Sequence, residues 1–203
     1  MSTRTSTPAE RYTAVAQAFH WLLALGLIAI VIMGLVMAHA PLAPATKFKL
    51  FQLHKSVGIT ILVLAVLRLG WRLTHRPPPL PAGMPALEKA GAHGAHVVLY
   101  ALMIGLPLIG WALVSISPFN LPTVLYGLVP WPHLGFLSGL PRATKTAWEP
   151  VFAFTHAYGA YLLIAVVSVH VLAALRHHFL LGDDILRRML PGRRRSNLGT
   201  PAQ

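Results

Sequence analysis

Four stretches of this chain are apolar for about the length needed to cross a bilayer, and that feature constrains the fold more than any other. They run roughly Phe19–Ala38, Leu50–Leu73, Gly94–Ile116 and Phe152–Leu175, the last helix continuing to about 178. A spanning helix needs ~20 apolar residues. Lipid offers no water to unpaired backbone groups, so such segments must be helical. Over half of the residues are hydrophobic (55%) and only 11% are charged, a balance outside the range of soluble domains. The expected fold class is therefore all-α, an integral membrane four-helix bundle, with one domain over residues 1–190 and a basic tail over 191–203. The first span is too long for a cleavable signal peptide and lacks a small-residue cleavage site, so it is expected to remain in the mature chain.

Cation placement predicts the topology. With the N-terminus inside, Arg4, Arg11, Arg68, Arg72, Arg76, Lys89, Arg176, Arg187, Arg188 and Arg193 to Arg195 fall on the inner side, against Lys47, Lys49, Lys55, Arg142 and Lys145 outside. The positive-inside rule then puts both termini in the cytoplasm. The basic run "RRMLPGRRRS" is accounted for as a topology signal in contact with anionic lipid, and no nucleic-acid partner is inferred.

Chemistry is bounded by what is missing. The chain has no cysteine, which removes disulfides, thiolate clusters and covalent haem attachment. Its acids are Glu10, Glu88, Glu149, Asp183 and Asp184, all in predicted loops, so neither paired-carboxylate catalysis nor an all-oxygen cation site is expected. The long segment Ser117–Pro150, rich in Trp, Tyr, Phe and Pro, is expected to lie on the outer face as an interfacial cap or aromatic belt.

Histidines stand out against this background. In "HAYGAYLLIAVVSVH" His156 and His170 are fourteen residues apart. In a helix that is about 1,400° and ~21 Å, so both lie within about 40° of one face near opposite membrane boundaries. The first span supplies His20 one turn from its inner end, in "AQAFHWLLALG", and the second supplies His54 one turn from its outer end, in "FQLHKSVGITIL". Because the fourth span runs from outside to inside, depth pairs His156 with His54 and His170 with His20. A lone intramembrane histidine is often an interfacial or hydrogen-bonded residue. Four that match by depth suit an iron porphyrin better, with an apolar slot and two axial nitrogens for each ring. No zinc-type spacing such as H-x-x-x-H occurs among them. Gly58 and Gly159 are expected to leave a gap on the ligand face.

The segments "RYTAVAQAFHWLLALGL", "LHKSVGITILVLAVLRLGWR", "GAHVVLYALMIGLPLIGW" and "THAYGAYLLIAVVSVHVLAALRHHF" resemble the four helices of the bacterial cytochrome b561 family over nearly the whole chain, from Arg11 to about Met189. The resemblance implies two haem b groups stacked between the helices, the inner one on His20 and His170, the outer one on His54 and His156. It implies a place in the bacterial inner membrane and electron transfer between an outer donor and an inner quinone. One branch of the family consists of superoxide:ubiquinone oxidoreductases, so superoxide or a redox protein is the expected donor and ubiquinone the expected acceptor. His96 matches a further family histidine suited to a haem propionate or a quinone carbonyl. Arg68, with Arg72, Arg11 and Arg176, is of the right type to hold propionates in a bidentate fork or to snorkel to lipid headgroups. Outer lysines would steer a small anion. Two other readings remain open at this stage: an electron-carrier cytochrome b subunit of a dehydrogenase or hydrogenase, and a haem-free metal transporter.

Overall fold

The computed structural model describes residues 11–81 and 83–191. Four long helices form its body: α1 (Ala14–His39), α2 (Pro44–Thr74), α3 (Ala86–Ile116) and α5 (Arg142–Phe179). All four are long and apolar enough to cross a membrane. Between α3 and α5 lie a two-stranded antiparallel hairpin, β1 (Thr123–Leu125) and β2 (Val129–Trp131), and the single turn α4 (Gly135–Ser138). A short α6 (Ile185–Met189) ends the described chain. The basic residues Arg193 to Arg195 of the expected tail lie outside the described residues.

The helices outrun the apolar windows. The 38 residues of α5 extend about 57 Å at the usual rise, well beyond a hydrocarbon core of ~30 Å. A nucleated helix gains a backbone hydrogen bond with each added residue, so it continues through polar positions until a cap or proline stops it. Pro44 opens α2 at its first turn, and Thr13 caps α1 by accepting the Ala16 N–H at 3.2 Å.

Small and apolar residues turn inward: Leu23, Ile61, Ala65, Leu99, Met103, Leu106 and Leu163 form one buried cluster. Large apolar residues also cover the outside, as at Leu25, Val97 and Leu172, each more than 60% exposed. That inversion suits a lipid solvent. Hydroxyls inside the helices are satisfied locally, with Ser56 donating to Gln52 O (2.8 Å) and Ser168 to Ile164 O (2.8 Å).

The segment expected as an interfacial cap is more ordered than a surface belt and reaches deeper. Its turn carries positive φ at both Tyr126 (52°) and Gly127 (72°), Leu128 N–H closes it on Leu125 O at 2.9 Å, and the loop has one residue more than a two-residue hairpin because Leu125 pairs with Val129. A tyrosine there is strained, and two bonds to α2 offset the cost. Its N–H donates to Ser56 Oγ (2.9 Å) and its hydroxyl lies 2.7 Å from Thr60 Oγ1. Gln52 and Lys55 both donate to Pro122 O, at 2.8 and 3.2 Å. The hairpin thus folds down along α2, its tip backbone held at Ser56 and its Tyr126 hydroxyl reaching Thr60, about 9 Å beyond the level of His54. Arg142 to Pro150, expected within the cap, already belong to α5.

Candidate functional site

Which helices touch, and which do not, defines the site. α3 packs along both α2 and α5, and α1 packs along α2. Neither α1 nor α2 packs along α5 in this way. Those two looser seams are where the histidines meet. His54 of α2 and His156 of α5 have ring centroids 6.1 Å apart, and His20 of α1 and His170 of α5 have centroids 6.4 Å apart. The pairs formed are those expected from depth, at opposite ends of the bundle.

The spacing tests the fit to a metal-centred ring. A metal held by one imidazole nitrogen from each ring, at about 2 Å per bond, needs the rings close but not in contact. Both pairs leave that room. At the His54/His156 end, His156 Nδ1–H donates to Leu106 O at 3.2 Å, which fixes the ring and leaves Nε2 as its free lone pair. His54 Nδ1 is buried with no partner. The neighbouring helices approach these rings through glycine. A Cβ on Gly110 would stand 3.1 Å from His156 Cε1, and one on Gly34 would stand 3.6 Å from His54 Cε1.

That finding corrects the expected glycine roles. A Cβ on Gly58 would meet Ile30 of α1 at 3.5 Å, and one on Gly159 would meet Leu106 of α3 at 2.5 Å. These two glycines serve helix packing. The glycines beside the histidines, Gly34 and Gly110, sit on helices facing the ligand helices, so their role depends on which helix lies opposite. The only trace in the sequence is a glycine at matching depth.

At the His20/His170 end the surroundings are side chains. His96 of α3 stands 5.6 Å from His170 by ring centroid, and Arg68 Nη2 donates to His20 Nδ1 at 3.1 Å. Trp21, edge-on to His20 at 5.2 Å, donates its indole N–H to Met189 O (2.9 Å). His96 and Arg68 are therefore both drawn into the cluster expected for them. Among the described residues no group of three or more His, Cys, Asp or Glu is arranged to hold a bare metal ion, so the transporter reading gains no support.

Sequence reasoning missed a second polar knot beneath this end. His177, one helical face below His170, bonds Asp183 through Nδ1 (2.5 Å), and Arg176 donates to Glu88 Oε1 (3.2 Å). The seven-residue step from His170 to His177 was the available signal. Beyond the opposite end, burial holds the His133 imidazole below its usual value, and the nearby Lys55 charge adds to the shift. The cationic character of that surface accordingly comes from Lys47, Lys49, Lys55 and Arg142, since Lys145, expected there too, is buried.

Apolar helices whose looser seams hold facing histidines define a class of integral membrane protein suited to flat, metal-centred cofactors. The family model for prokaryotic cytochrome b561 matches residues 11–192, and the chain belongs to that family. It is a membrane electron-transfer protein that binds b-type haem. The chain is 32% identical to cytochrome b561 homolog 2 of Escherichia coli (strain K12) over 196 residues, 96% of this chain and 98% of that protein. It is 30% identical to a probable superoxide oxidase, CybB, of Yersinia pestis over 185 residues, 91% of this chain and 98% of that protein. Cytochrome b561 homolog 1 of Escherichia coli (strain K12) is 27% identical over 154 residues, 76% of this chain and 82% of that protein.

Proposed function

We propose that this chain is a di-haem superoxide:ubiquinone oxidoreductase of the bacterial inner membrane. The observation that carries the di-haem part of the reading is the two histidine pairs, 6.1 and 6.4 Å across, at opposite ends of one bundle, and the similarity to a probable superoxide oxidase supports the choice of donor. His54 and His156 would hold the outer haem, and His20 and His170 the inner one. Haem held there would supply one-electron chemistry, and holding it by two histidines would favour outer-sphere transfer over oxygen activation. The overall reaction balances as two superoxide anions plus one ubiquinone plus two protons, giving two dioxygen molecules and one ubiquinol.

The residues divide the work. His156 is kept in one tautomer by Leu106 O, so its Nε2 is always ready as a ligand. Ligation through His20 Nε2 needs the ring proton on Nδ1, so Arg68 must give up that nitrogen and is then available to a carboxylate. His96 stands beside His170 as a polar contact for a propionate or a quinone carbonyl. Lys47, Lys49, Lys55 and Arg142 make the outer end attractive to a small anion, whereas Lys145 is buried. Placing the arginine-rich end in the cytoplasm follows from the positive-inside rule.

Stopped-flow mixing of purified, haem-loaded protein with superoxide tests the reading. Haem reduction should be rapid, and a ubiquinone analogue should reoxidise it. Replacing Lys47, Lys49 and Lys55 with Gln should slow reduction severalfold and flatten its salt dependence, since steering is screened over ~8 Å at physiological salt. No reduction by superoxide, together with reduction by a redox protein, would establish the electron-carrier reading instead.

A further inference from the structure

A cavity of about 200 Å³ opens at the His20/His170 end, and four guanidinium groups line it: Arg11, Arg68, Arg72 and Arg76. Among the described residues none of the four lies within ion-pair distance of a carboxylate. Glu88 and Asp183 are taken by Arg176 and His177 instead. Four like charges around one small space repel each other unless an anion joins them. Arg11 adds a buried Nε with no partner, although its Nη2 is anchored on Leu190 O.

Depth separates these arginines. Arg68, Arg72 and Arg76 recur at intervals of four, Arg72 standing one helical step of about 6 Å beyond Arg68 and Arg76 following past the helix end. Arg68 alone touches a histidine of the inner pair. Arg72 lies in the last turn of α2, Arg76 lies beyond the helix, and Arg11 precedes α1, so these three line the cavity from the end of the bundle. Their wall is cross-linked by ring and hydrogen-bond contacts. Trp71 donates its indole N–H to Thr13 Oγ1 (3.2 Å), tying α2 to α1, and stacks on His75 with centroids 3.7 Å apart. Met189 of α6 closes another side.

The geometry points to a binding site for a phosphate-bearing anion, formed by Arg11, Arg72 and Arg76. Guanidinium forks match phosphate oxygens in pairs, and a neutral ligand would leave the charge uncompensated. The same chemistry is offered by the headgroup of an anionic phospholipid in the inner leaflet and by free phosphate. The site is independent of the electron donor and of the quinone.

Full-length, haem-loaded protein, stripped of lipid in neutral detergent, would be titrated with phosphatidylglycerol, phosphatidylcholine or inorganic phosphate. Readouts are phospholipid phosphorus retained per chain after gel filtration, the thermal midpoint, and the haem spectrum. Phosphatidylglycerol should be retained and should raise the midpoint, phosphatidylcholine should do neither, and added NaCl should reverse the effect. The variant Arg76→Gln should keep both haem signals and bind phosphatidylglycerol roughly fivefold more weakly, the scale expected for one cation. Arg76→Lys should retain part of the binding. If millimolar inorganic phosphate reproduces the stabilisation, the site stands and its ligand is the free anion. Equal binding of the two lipids, or undiminished binding by the Gln variant, overturns the proposal. So does loss of the inner haem signal in that variant, which would assign these arginines to the haem carboxylates.

Discussion

At the His54/His156 end, imidazoles are positioned by backbone and by the absence of side chains: a carbonyl from Leu106, and glycines at 34 and 110. At the His20/His170 end they are positioned by other functional side chains, with Arg68 on one ring and His96 beside the other. The first end is sterically exacting and electrostatically plain; the second is roomier and charged. The difference suggests a division of labour in which one end depends on shape and the other on a guanidinium that can change partners. Each end also has its own cover. The hairpin leans on α2 near the first, while α6 is drawn under the second by Gln17, which donates to Arg188 O at 3.1 Å, and by Trp21.

Removing ligands should give the largest effect and breaks the comparison if the pairing is wrong. His54→Ala and His156→Ala are expected to lose one and the same haem, and His20→Ala and His170→Ala the other, read from haem content and from redox titration of the purified variants. A crossed pattern, such as His20 with His156, would contradict the seams described above.

Glycine substitutions sharpen the steric half. Gly110→Ala places a methyl 3.1 Å from the His156 ring and should weaken haem retention at that end by about tenfold, the scale on which misoriented metal ligands lose affinity. Gly105→Ala, on the same helix with nothing within 4 Å, should leave both haems in place. Equal behaviour of the two variants would show that the rings at this end tolerate displacement.

The smallest effect is expected at the hairpin. Tyr126→Phe removes the hydroxyl bond to Thr60 and should cost about 1 kcal/mol of stability. Limited proteolysis between residues 119 and 136 should accelerate, while spectra of the His20/His170 end stay unchanged. A change at that distant end would mean that the two ends are coupled more tightly than their separate covers imply.

Much of this architecture was legible without coordinates because a membrane imposes strong, local rules. Apolar length specifies a spanning helix, and a helix with fixed rise specifies the depth of each histidine, so the pairs His20/His170 and His54/His156 followed from order and spacing. Helix ends were less legible, since α5 begins at Arg142, where hydropathy gives no sign, and continues through Pro150. The hairpin was missed because its stability is held largely in bonds to Gln52, Ser56 and Thr60, far away in the chain.

Sequence by itself determined the class of fold, the number of spans and the depth of the polar groups, because those depend on residue type and distance along one helix. Tertiary structure decided which helices pack closely and which leave a seam. It decided too that Gly34 and Gly110, rather than Gly58 and Gly159, border the imidazoles, and that Arg11 joins Arg72 and Arg76 around one cavity. These are matters of helix rotation and neighbour choice, set by the packing of Leu23, Ile61, Leu99 and Leu106 across three helices, and no single segment contains that information.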